Sequence, residues 1–392
     1  MKVCIAQNVS LSDHLALSTY LRSISKYLAK QKDIELILLT LKGSKIPKDL
    51  PKNIDVYEIN ASLYSVKGNL RYAIGLYNKL KELNRKEDID LIHCLYPNSS
   101  VLGAALFKRK SQKTKIVYDI RSPWIEMSLE RGSIPQYLAP IYHKVSYLSE
   151  SFLDKYVDGY IFITEGLKRF YENKIKLDSK PSDIIHSGVD LNLFSRNNPS
   201  IIRDRYNLKD DDFLLGYVGV ISRMRELDFI LRAFQKLTKI NETYKLMLVG
   251  DGDDKKRLET LAKKLQIQNK VIFTGKVPYE QVSYYVSAFD VGLCHLPDKL
   301  IFRYSFPMKI LEYLACETPV LASDIEAHRE IAKKLNKNII LYNFIDISDF
   351  IDKFTKILKS YYPKKNNYTL LSEFSWRDIS NKLKFFYVSI LR

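Results

Sequence analysis

A predicted helix start that carries one basic and one acidic side chain is the part of this sequence best suited to chemistry. A short apolar helical pattern begins at Pro307 and ends before Pro319. Its first-turn N–H groups attract an anion, and Lys309 adds a positive charge in that turn. Glu312 lies one turn further on, where its carboxylate is placed to accept hydrogen bonds from hydroxyl groups. A nucleotide-sugar presents both groups, a phosphate and a diol, although an ordinary amphipathic helix with one solvated glutamate would show the same spacing.

The elements that must position this helix alternate between strands and helices along the chain. The first half opens with a strand at Val3–Ala6, and a new first strand follows at Phe213–Val220. This alternation predicts an α/β protein with parallel, doubly wound sheets, whose ligands bind beyond the carboxyl ends of the strands. We therefore predict two Rossmann-like domains facing across a cleft, and a last helix that packs back toward the first domain. The predicted boundaries are 1–195, 196–375 and 376–392.

Composition narrows the classes of protein that this chain can represent. It has 392 residues with 46% hydrophobic content, which suits two globular domains. It lacks a run of 18 apolar residues, so we expect no membrane-spanning helix. The net charge of +17 fits an anionic membrane surface, anionic substrates or simply a lysine-rich background composition. Nucleic acid is not an expected partner, because the sequence lacks a recognisable reading module.

The cysteines are scattered and show no paired spacing. Each lies in or beside an apolar stretch, which predicts buried free thiols in a reducing cytosol rather than disulfides or a metal site. They are Cys4, Cys94, Cys294 and Cys316.

The segment around the predicted helix resembles the donor-binding signature of the retaining GT-B glycosyltransferases often called group 1. The matching positions are Phe306, Glu312, Ala315, Thr318, Pro319 and Val320. A branch of the family is matched by Pro307, Lys309, Glu312 and Tyr313. The departures are Tyr304 in place of the first glutamate, and Pro307 and Glu317 in place of glycines.

The resemblance implies roles for the helix start. The expected donor-binding residues there are Pro307, Met308, Lys309 and Glu312. In the family the second glutamate binds the nucleotide ribose, and that role transfers to Glu312. The first glutamate binds sugar hydroxyls, and Tyr304 offers no carboxylate for that role. The identity of the sugar is therefore left open.

Other turns resemble the same family. Gly188 and Asp190 match its motif at the crossover between domains. The Gly250–Gly252 turn matches its Gly-any-Gly connection, which by physics alone is only a strand-to-helix turn. Lys276 and Val277 follow the turn whose backbone contacts the base in the family.

Sugar transfer requires neutralisation of the leaving diphosphate, which arginine, lysine and helix N-termini provide when no metal does so. Arg225 aligns with the family's lysine in the loop after the first strand of the second domain, and Arg223 is a neighbouring candidate. Both arginines would also be unremarkable as solvated loop residues. The acidic run Asp251–Asp254 is interpreted as a turn and a helix N-cap, so we expect no metal.

The first domain is expected to supply the acceptor site and any group that acts near the sugar. Arg121 aligns with a histidine that the family commonly carries, and Asp119 lies two residues earlier. His93, at another strand end, is a further catalytic candidate. A satisfied near-core histidine and a hydrogen-bonding aspartate are the simpler interpretations.

The resemblance implies a cytoplasmic, metal-independent, retaining glycosyltransferase without a cofactor. Its donor would be a UDP- or GDP-sugar, and its acceptor a glycan or a lipid-linked molecule in cell-surface polysaccharide or glycolipid synthesis. A location at the inner membrane face would suit the charge. In the family, retention is thought to proceed by front-face attack, with the leaving phosphate helping to deprotonate the acceptor. A GT-B nucleotide-sugar epimerase and a catalytically inactive nucleotide-sugar-binding module are the alternatives.

Overall fold

The chain is divided into two compact α/β units in the computed structural model. The first unit comprises Met1–Gly188, Tyr304–Phe306 and Trp376–Arg392, and the second comprises Val189–Arg303 and Pro307–Ser375. The structure describes residues 1–11, 16–43, 46–48, 50–62, 65–130, 135–175, 180–335, 338–359 and 368–392.

The first unit is built on a parallel seven-stranded sheet. Its strands are β1 (Lys2–Ala6), β2 (Glu35–Leu41), β3 (Ile54–Ile59), β4 (Leu91–Leu95), β5 (Lys115–Ile120), β6 (Gly159–Phe162) and β7 (Ser182–Ile184). They lie in the order β3-β2-β1-β4-β5-β6-β7, and every pair is parallel. The strands are short, apolar and mostly buried, as expected of a sheet covered on both faces.

Helices cover both faces of this first sheet. They are α1 (Ala16–Leu28), α2 (Val66–Leu83), α3 (Ser99–Lys108), α4 (Trp124–Glu130), α5 (Ala139–Asp154) and α6 (Glu165–Glu172). The core between the sheet and α2, α3 and α5 contains Tyr72, Leu76, Ala104, Tyr118 and Leu153. α3 packs against both α2 and α5.

The second unit repeats the plan with a parallel six-stranded sheet. Its strands are β8 (Phe213–Val218), β9 (Tyr244–Val249), β10 (Val271–Gly275), β11 (Val291–Cys294), β12 (Val320–Ser323) and β13 (Ile339–Tyr342). The strand order is β10-β9-β8-β11-β12-β13, again with parallel pairs. The direction of winding reverses between β8 and β11, which is where doubly wound sheets bind ligands.

The helices of the second unit connect these strands. They are α7 (Ser200–Arg205), α8 (Asp228–Ile240), α9 (Lys255–Lys264), α10 (Val282–Ala288), α11 (Leu300–Arg303), α12 (Met308–Ala315), α13 (Glu326–Leu335), α14 (Ile347–Lys359) and α15 (Tyr368–Leu371). Leu231, Phe234, Leu248, Phe350 and Phe354 are among the residues of the core. The prediction of two Rossmann-like α/β domains is confirmed.

The last helix, α16 (Trp376–Leu391), belongs to the first unit. It packs against α1 and β5, on the sheet face opposite α3. The ring of Trp376 lies 5.7 Å from that of Tyr20. Lys384 forms a 2.6 Å ion pair with Asp33, so apolar and charged contacts both hold the helix.

One local expectation is corrected. The predicted strand Phe213–Val220 ends at Val218, because Gly219 turns the backbone to φ +145°. The predicted helix N-cap in the acidic run is found at Asp254, the N-cap residue of α9, whose side chain accepts hydrogen bonds from Arg257 at 2.6 and 2.7 Å.

All four cysteines are free and buried, as predicted. Burial raises the pKa of Cys294 to about 11, so this thiol stays protonated at neutral pH. In the part of the chain that the structure describes, no helix is long and apolar enough to cross a membrane.

Candidate active site

The loops beyond β8 and β9 form the floor of the candidate site in the second unit. The Gly219 N–H donates to the carbonyl of Val249 at 2.8 Å, and the Ile221 N–H donates to that of Asp251 at 2.9 Å. Gly250 has φ +143°, and a Cβ there would lie 2.0 Å from the carbonyl oxygen of Gly219. The Gly-any-Gly turn therefore lets two loops touch through their backbones, which is a packing role.

Tyr313 connects helix α12 to the centre of the second sheet. Its buried hydroxyl accepts a hydrogen bond from the Val218 N–H at 2.9 Å and donates to the carbonyl of Leu293 at 3.3 Å. These partners end β8 and lie on β11, the two strands at the switch point. The Glu-Tyr pair of the sequence motif thus fixes where the helix start lies relative to the sheet.

Lys309 extends from the first turn of α12 across the end of β8. Its Nζ lies 5.2 Å from the centre of the Tyr217 ring. A Cβ on Gly219 would come within 2.5 Å of the same nitrogen, so this approach requires glycine. Burial, followed by repulsion from Arg225, lowers the pKa of Lys309 to about 7. The charges of Glu312 and Cys294 act in the opposite direction but do not offset these two effects.

Arg225 lies close enough to Lys309 for its charge to lower the pKa of that lysine. The residue is half-buried, and its guanidinium carbon is 5.6 Å from the centre of the Phe302 ring. Burial raises the pKa of Tyr217, and the nearby charge of Arg225 opposes that rise. The positive charges of Lys309 and Arg225 therefore both lie close to Tyr217.

Arg223 differs from Arg225 in its surroundings. Its side chain is 76% exposed, and its Nε lies 3.8 Å from a carboxylate oxygen of Asp254. The two arginines open and close a short 3-10 turn, Arg223–Arg225, which directs their side chains differently. The structure therefore groups Arg225, but not Arg223, with Lys309.

Glu312 is buried one turn after Lys309. The hydroxyl of Tyr279 donates to its Oε1 at 3.0 Å. Burial raises the pKa of Glu312, whereas the Tyr279 hydrogen bond and the charge of Lys309 act to lower it. Tyr279 was not predicted from the sequence. Its only signal was a polar aromatic residue in the loop that follows the Lys276–Val277 motif.

The remaining donor-binding candidates lie on two neighbouring segments. Pro307 and Met308 stand at the start of α12, where the helix lacks a side-chain cap. Lys276 is exposed and follows Gly275, which has φ +73° and ends β10. Val277 is half-buried beside it. Donor binding by these four residues stays a prediction.

The residues before the helix belong to the first unit. Tyr304 packs on Phe170 with ring centres 5.1 Å apart, and its carbonyl accepts a hydrogen bond from Thr164 Oγ1 at 3.1 Å. Phe306 stacks on His186 at 4.8 Å. The position that lacks the family glutamate is thus occupied by an aromatic contact.

The two crossover residues fall on either side of the division between the units. Gly188 ends the first segment of the first unit. Asp190 begins a turn in the second unit, where its Oδ1 accepts hydrogen bonds from the N–H groups of Asn192 and Leu193 at 3.0 and 3.3 Å. These contacts show Asp190 shaping a turn, and a further role stays a prediction.

In the first unit, the three catalytic candidates meet in one buried network. Asp119 Oδ2 lies 3.2 Å from His93 Nε2 and 3.3 Å from Arg121 Nη1. It also accepts a hydrogen bond from the Tyr20 hydroxyl at 3.2 Å. The guanidinium of Arg121 lies 3.4 Å over the Tyr20 ring. Tyr20 was not predicted from the sequence, since it lies 99 positions before Asp119.

The same network extends to the last helix. The Tyr387 hydroxyl of α16 lies 2.5 Å from His93 Nδ1. His93 and Asp119 are fully buried and Arg121 is 5% exposed. Since His93 and Asp119 have no surface open to solvent, their catalytic role stays a prediction, and their contacts serve to hold Arg121. One nitrogen of Arg121, Nη2, is buried without a hydrogen-bond partner.

Metal ligands are not assembled at either site. Within the described ranges, no group of three or more histidine, cysteine, aspartate or glutamate residues is arranged to hold a metal ion. In the acidic run of the second unit, Asp254 is paired with Arg223 and Arg257.

Comparison with known proteins finds a family match for each half of the chain. The family described as "Glycosyl transferases group 1" matches residues 200–369, and the family "Glycosyltransferase Family 4" matches residues 17–193. An uncharacterised glycosyltransferase of Methanocaldococcus jannaschii is 24% identical over 385 residues, covering 95% of this chain and 82% of the relative. N-acetyl-alpha-D-glucosaminyl L-malate synthase of Bacillus anthracis is 22% identical over 281 residues, covering 71% and 68% of the two chains.

Solved structures share the fold across the whole chain. Sucrose-phosphate synthase from Thermosynechococcus elongatus aligns with a TM-score of 0.76 and 17% identity, covering 99% of this chain and 98% of that one. HepE from Anabaena, in complex with UDP and glucose, aligns with a TM-score of 0.73 and 15% identity, covering 99% and 100%. The two parallel-sheet units therefore define a GT-B protein. The chain belongs to the group 1 glycosyltransferases, of the family 4 type, and is a glycosyltransferase.

Proposed function

We propose that this glycosyltransferase moves a sugar, with retention and without a metal, from a nucleoside diphosphate to an acceptor. The acceptor is a glycan or a lipid-linked molecule used in cell-surface polysaccharide or glycolipid synthesis. The observation that carries the proposal is the closeness of two positive charges, those of Lys309 and Arg225, near the start of α12. The buried carboxylate of Glu312 lies one helical turn after Lys309.

The diphosphate is assigned to the cationic end of this arrangement. Lys309 and Arg225 repel each other, and an anion between them would relieve that repulsion. The N–H groups at the start of α12, which has no side-chain cap, add to the attraction. A leaving phosphate is stabilised by the same charges, which is how this site would favour bond cleavage.

The ribose is assigned to Glu312. Its Oε1 is held by the Tyr279 hydroxyl, which fixes the orientation of the carboxylate. A buried carboxylate held in this way accepts hydroxyl hydrogen bonds strongly, because charge-assisted bonds gain strength away from water. UDP is the first nucleotide to test, since the structural neighbour HepE holds UDP and glucose.

A screen of nucleotides and nucleotide-sugars by thermal unfolding tests the donor class. A ligand at 100 times its dissociation constant stabilises a protein by about 2.7 kcal/mol, which is readily measured. We expect UDP or GDP and one of their sugar conjugates to raise the unfolding temperature, and nucleoside monophosphates to do so less. If nucleoside diphosphates fail to stabilise the full chain at millimolar concentrations, the donor assignment is wrong.

The reaction class is tested by following the sugar of the stabilising donor. Transfer to an added acceptor supports the proposal, and the product anomer reports retention. Interconversion of the donor without transfer would identify an epimerase. Binding without release of sugar under any acceptor would identify an inactive binding module.

A further inference from the structure

Helix α5 presents a stripe of apolar side chains to solvent. Ile141, Val145, Leu148 and Phe152 are 62%, 60%, 60% and 56% exposed. Their spacing places them on one side of the helix. Tyr137, just before the helix, is 80% exposed. Surface helices normally carry polar residues on this side, so the stripe requires an explanation.

The stripe is not an unfilled part of the core. The opposite side of α5 is anchored within the first unit, where Leu153 is buried in the core. The Tyr147 hydroxyl on that side hydrogen-bonds to Glu126. The helix is thus held with its exposed side facing outward.

The exposed charges that α5 and its C-cap residue place beside the stripe are of one sign. Lys144 and Lys155 are exposed on the same side of the helix, and Lys155 Nζ lies 3.7 Å over the Phe152 ring. The acidic side chains of α5, all of which is described, face elsewhere. Glu150 is buried, and Asp154 is paired with Lys180 at 2.9 Å.

The neighbouring helices continue the pattern. Leu70 and Ile74 of α2 are 54% and 48% exposed, and Leu106 of α3 is 36% exposed. Exposed basic residues lie near these positions; they are Lys67 and Arg71 on α2, and Arg109 and Lys110 just after the end of α3. Since α3 packs against both α2 and α5, apolar and basic side chains share one side of the first unit.

We propose that this side, with α5 at its centre, lies on the surface of an anionic lipid bilayer. A helix with an apolar stripe and flanking lysines suits the boundary between headgroups and acyl chains. The lysines extend toward the phosphates while their alkyl stems lie along the apolar surface. The inference identifies the membrane-binding element and does not depend on the proposed transfer reaction.

A second copy of the chain fits this surface less well. Two-fold pairing through α5 would bring Lys144 and Lys155 of one copy close to those of the other, with no acidic side chain of the helix to offset them. The net charge of +17 adds to the repulsion between copies and to the attraction of anionic lipid.

Vesicle flotation of the full chain tests the proposal. Vesicles of phosphatidylcholine with phosphatidylglycerol should bind the protein, and vesicles of phosphatidylcholine alone should bind it weakly. We expect Ile141→Ser with Leu148→Ser to lower the partition coefficient at least about tenfold, because both apolar anchors are lost. Lys144→Glu with Lys155→Glu should abolish the preference for anionic vesicles.

The matched control is Ile240→Ser with Ile345→Ser. These residues of the second unit are 65% and 76% exposed, so the change in surface hydrophobicity is comparable. Binding of the control should equal that of the wild type. An equal loss in the control and the α5 variant would mean that the stripe has no special role.

A gain-of-signal variant guards against misfolding of the serine variant. Phe152→Trp keeps an aromatic ring beside Lys155 and places a reporter on the stripe. Its fluorescence should shift to shorter wavelength with anionic vesicles and be quenched by brominated acyl chains. No quenching in bound protein would overturn the proposal. A concentration-dependent dimer in sedimentation velocity, lost in the serine variant, would assign the stripe to a second copy instead.

Discussion

Arg225 is the residue whose proposed role depends most on its positive charge. It shares the Tyr217 region with Lys309, whereas Arg223 points to solvent and to Asp254. At about 4 Å and an effective dielectric of about 20, one charge pair contributes ~4 kcal/mol before desolvation. We therefore expect the proposed site to depend on the cation at 225 more than on that at 223.

We predict that Arg225→Ala lowers kcat/KM for the donor by about 30- to 1000-fold, which corresponds to roughly 2–4 kcal/mol. Arg225→Lys should restore more activity than Arg225→Gln, because the charge matters more than the fork of the guanidinium. Arg223→Ala is the matched control and should cost less. Equal losses in the two alanine variants would contradict the assignment.

Glu312 is predicted to act in binding rather than in folding. Glu312→Ala removes the hydroxyl acceptor, and a hydrogen bond to a charged group contributes about 1.5–3 kcal/mol. Donor affinity measured by calorimetry should fall tenfold or more, with the unfolding temperature of the free protein nearly unchanged. Tyr279→Phe keeps the carboxylate and should weaken donor binding less. An unaltered dissociation constant in a folded Glu312→Ala protein would rule out the ribose role.

Lys309 should couple donor binding to protons. With its pKa lowered to about 7, roughly half of the free protein carries a neutral lysine at that pH. A bound diphosphate favours the charged form, so binding should take up a proton above pH 7. Donor affinity should therefore fall by up to about tenfold for each pH unit above 7, since one pKa unit is 1.36 kcal/mol.

Comparison with a Lys309 variant distinguishes titration of the lysine from titration of the nucleotide phosphates. Lys309→Arg keeps the positive charge throughout this range and should bind the donor with a flatter pH dependence. Calorimetry in two buffers of different ionisation enthalpy measures the proton uptake directly. Identical pH profiles in the wild type and Lys309→Arg would show that another group titrates.

At the scale of elements, the site depends on two loops that touch. Gly250 cannot be replaced easily, because a Cβ would lie 2.0 Å from the Gly219 carbonyl oxygen and φ is +143°. We predict that Gly250→Ala destabilises the protein by at least about 1–3 kcal/mol, the range for overpacking that forces the backbone to shift. Urea denaturation provides the measurement.

Gly275→Ala is the control for this prediction. Gly275 also has a positive φ, +73°, but a Cβ there would meet only the Lys255 Nζ at 3.8 Å. Its cost should be limited to the backbone conformation, about 1 kcal/mol. If both variants lose the same stability, the close approach of the two loops is not what requires Gly250.

For the whole molecule, the proposed mechanism assigns the donor's charge to side chains and a helix start. Activity with the natural donor should therefore survive EDTA, with less than about a twofold change in kcat, because no step of the proposed mechanism needs a divalent ion. Loss of activity in EDTA that Mg²⁺ or Mn²⁺ restores would show that a metal takes part.

Much of the organisation could be predicted from local patterns. Strand and helix periodicity predicted both α/β halves, because each buried strand is a short apolar run between turn residues. The first strand, predicted at Val3–Ala6, spans Lys2–Ala6, and the last helix, predicted within 376–392, spans Trp376–Leu391. Helix α13, Glu326–Leu335, was not predicted, although Ala327, Ile331 and Leu335 form its buried apolar face.

The sequence by itself determined the two doubly wound sheets, the buried free thiols and the helix that carries Lys309 and Glu312. These follow from residue spacing and composition, which act over a few residues. The tertiary structure decided which side chains meet. Tyr279 reaches Glu312 across 33 positions, and Tyr387 reaches His93 across 294. Such contacts, and the burial that lowers the pKa of Lys309, exist only once the strands are ordered in the sheet, since spacing along the chain does not specify distant neighbours.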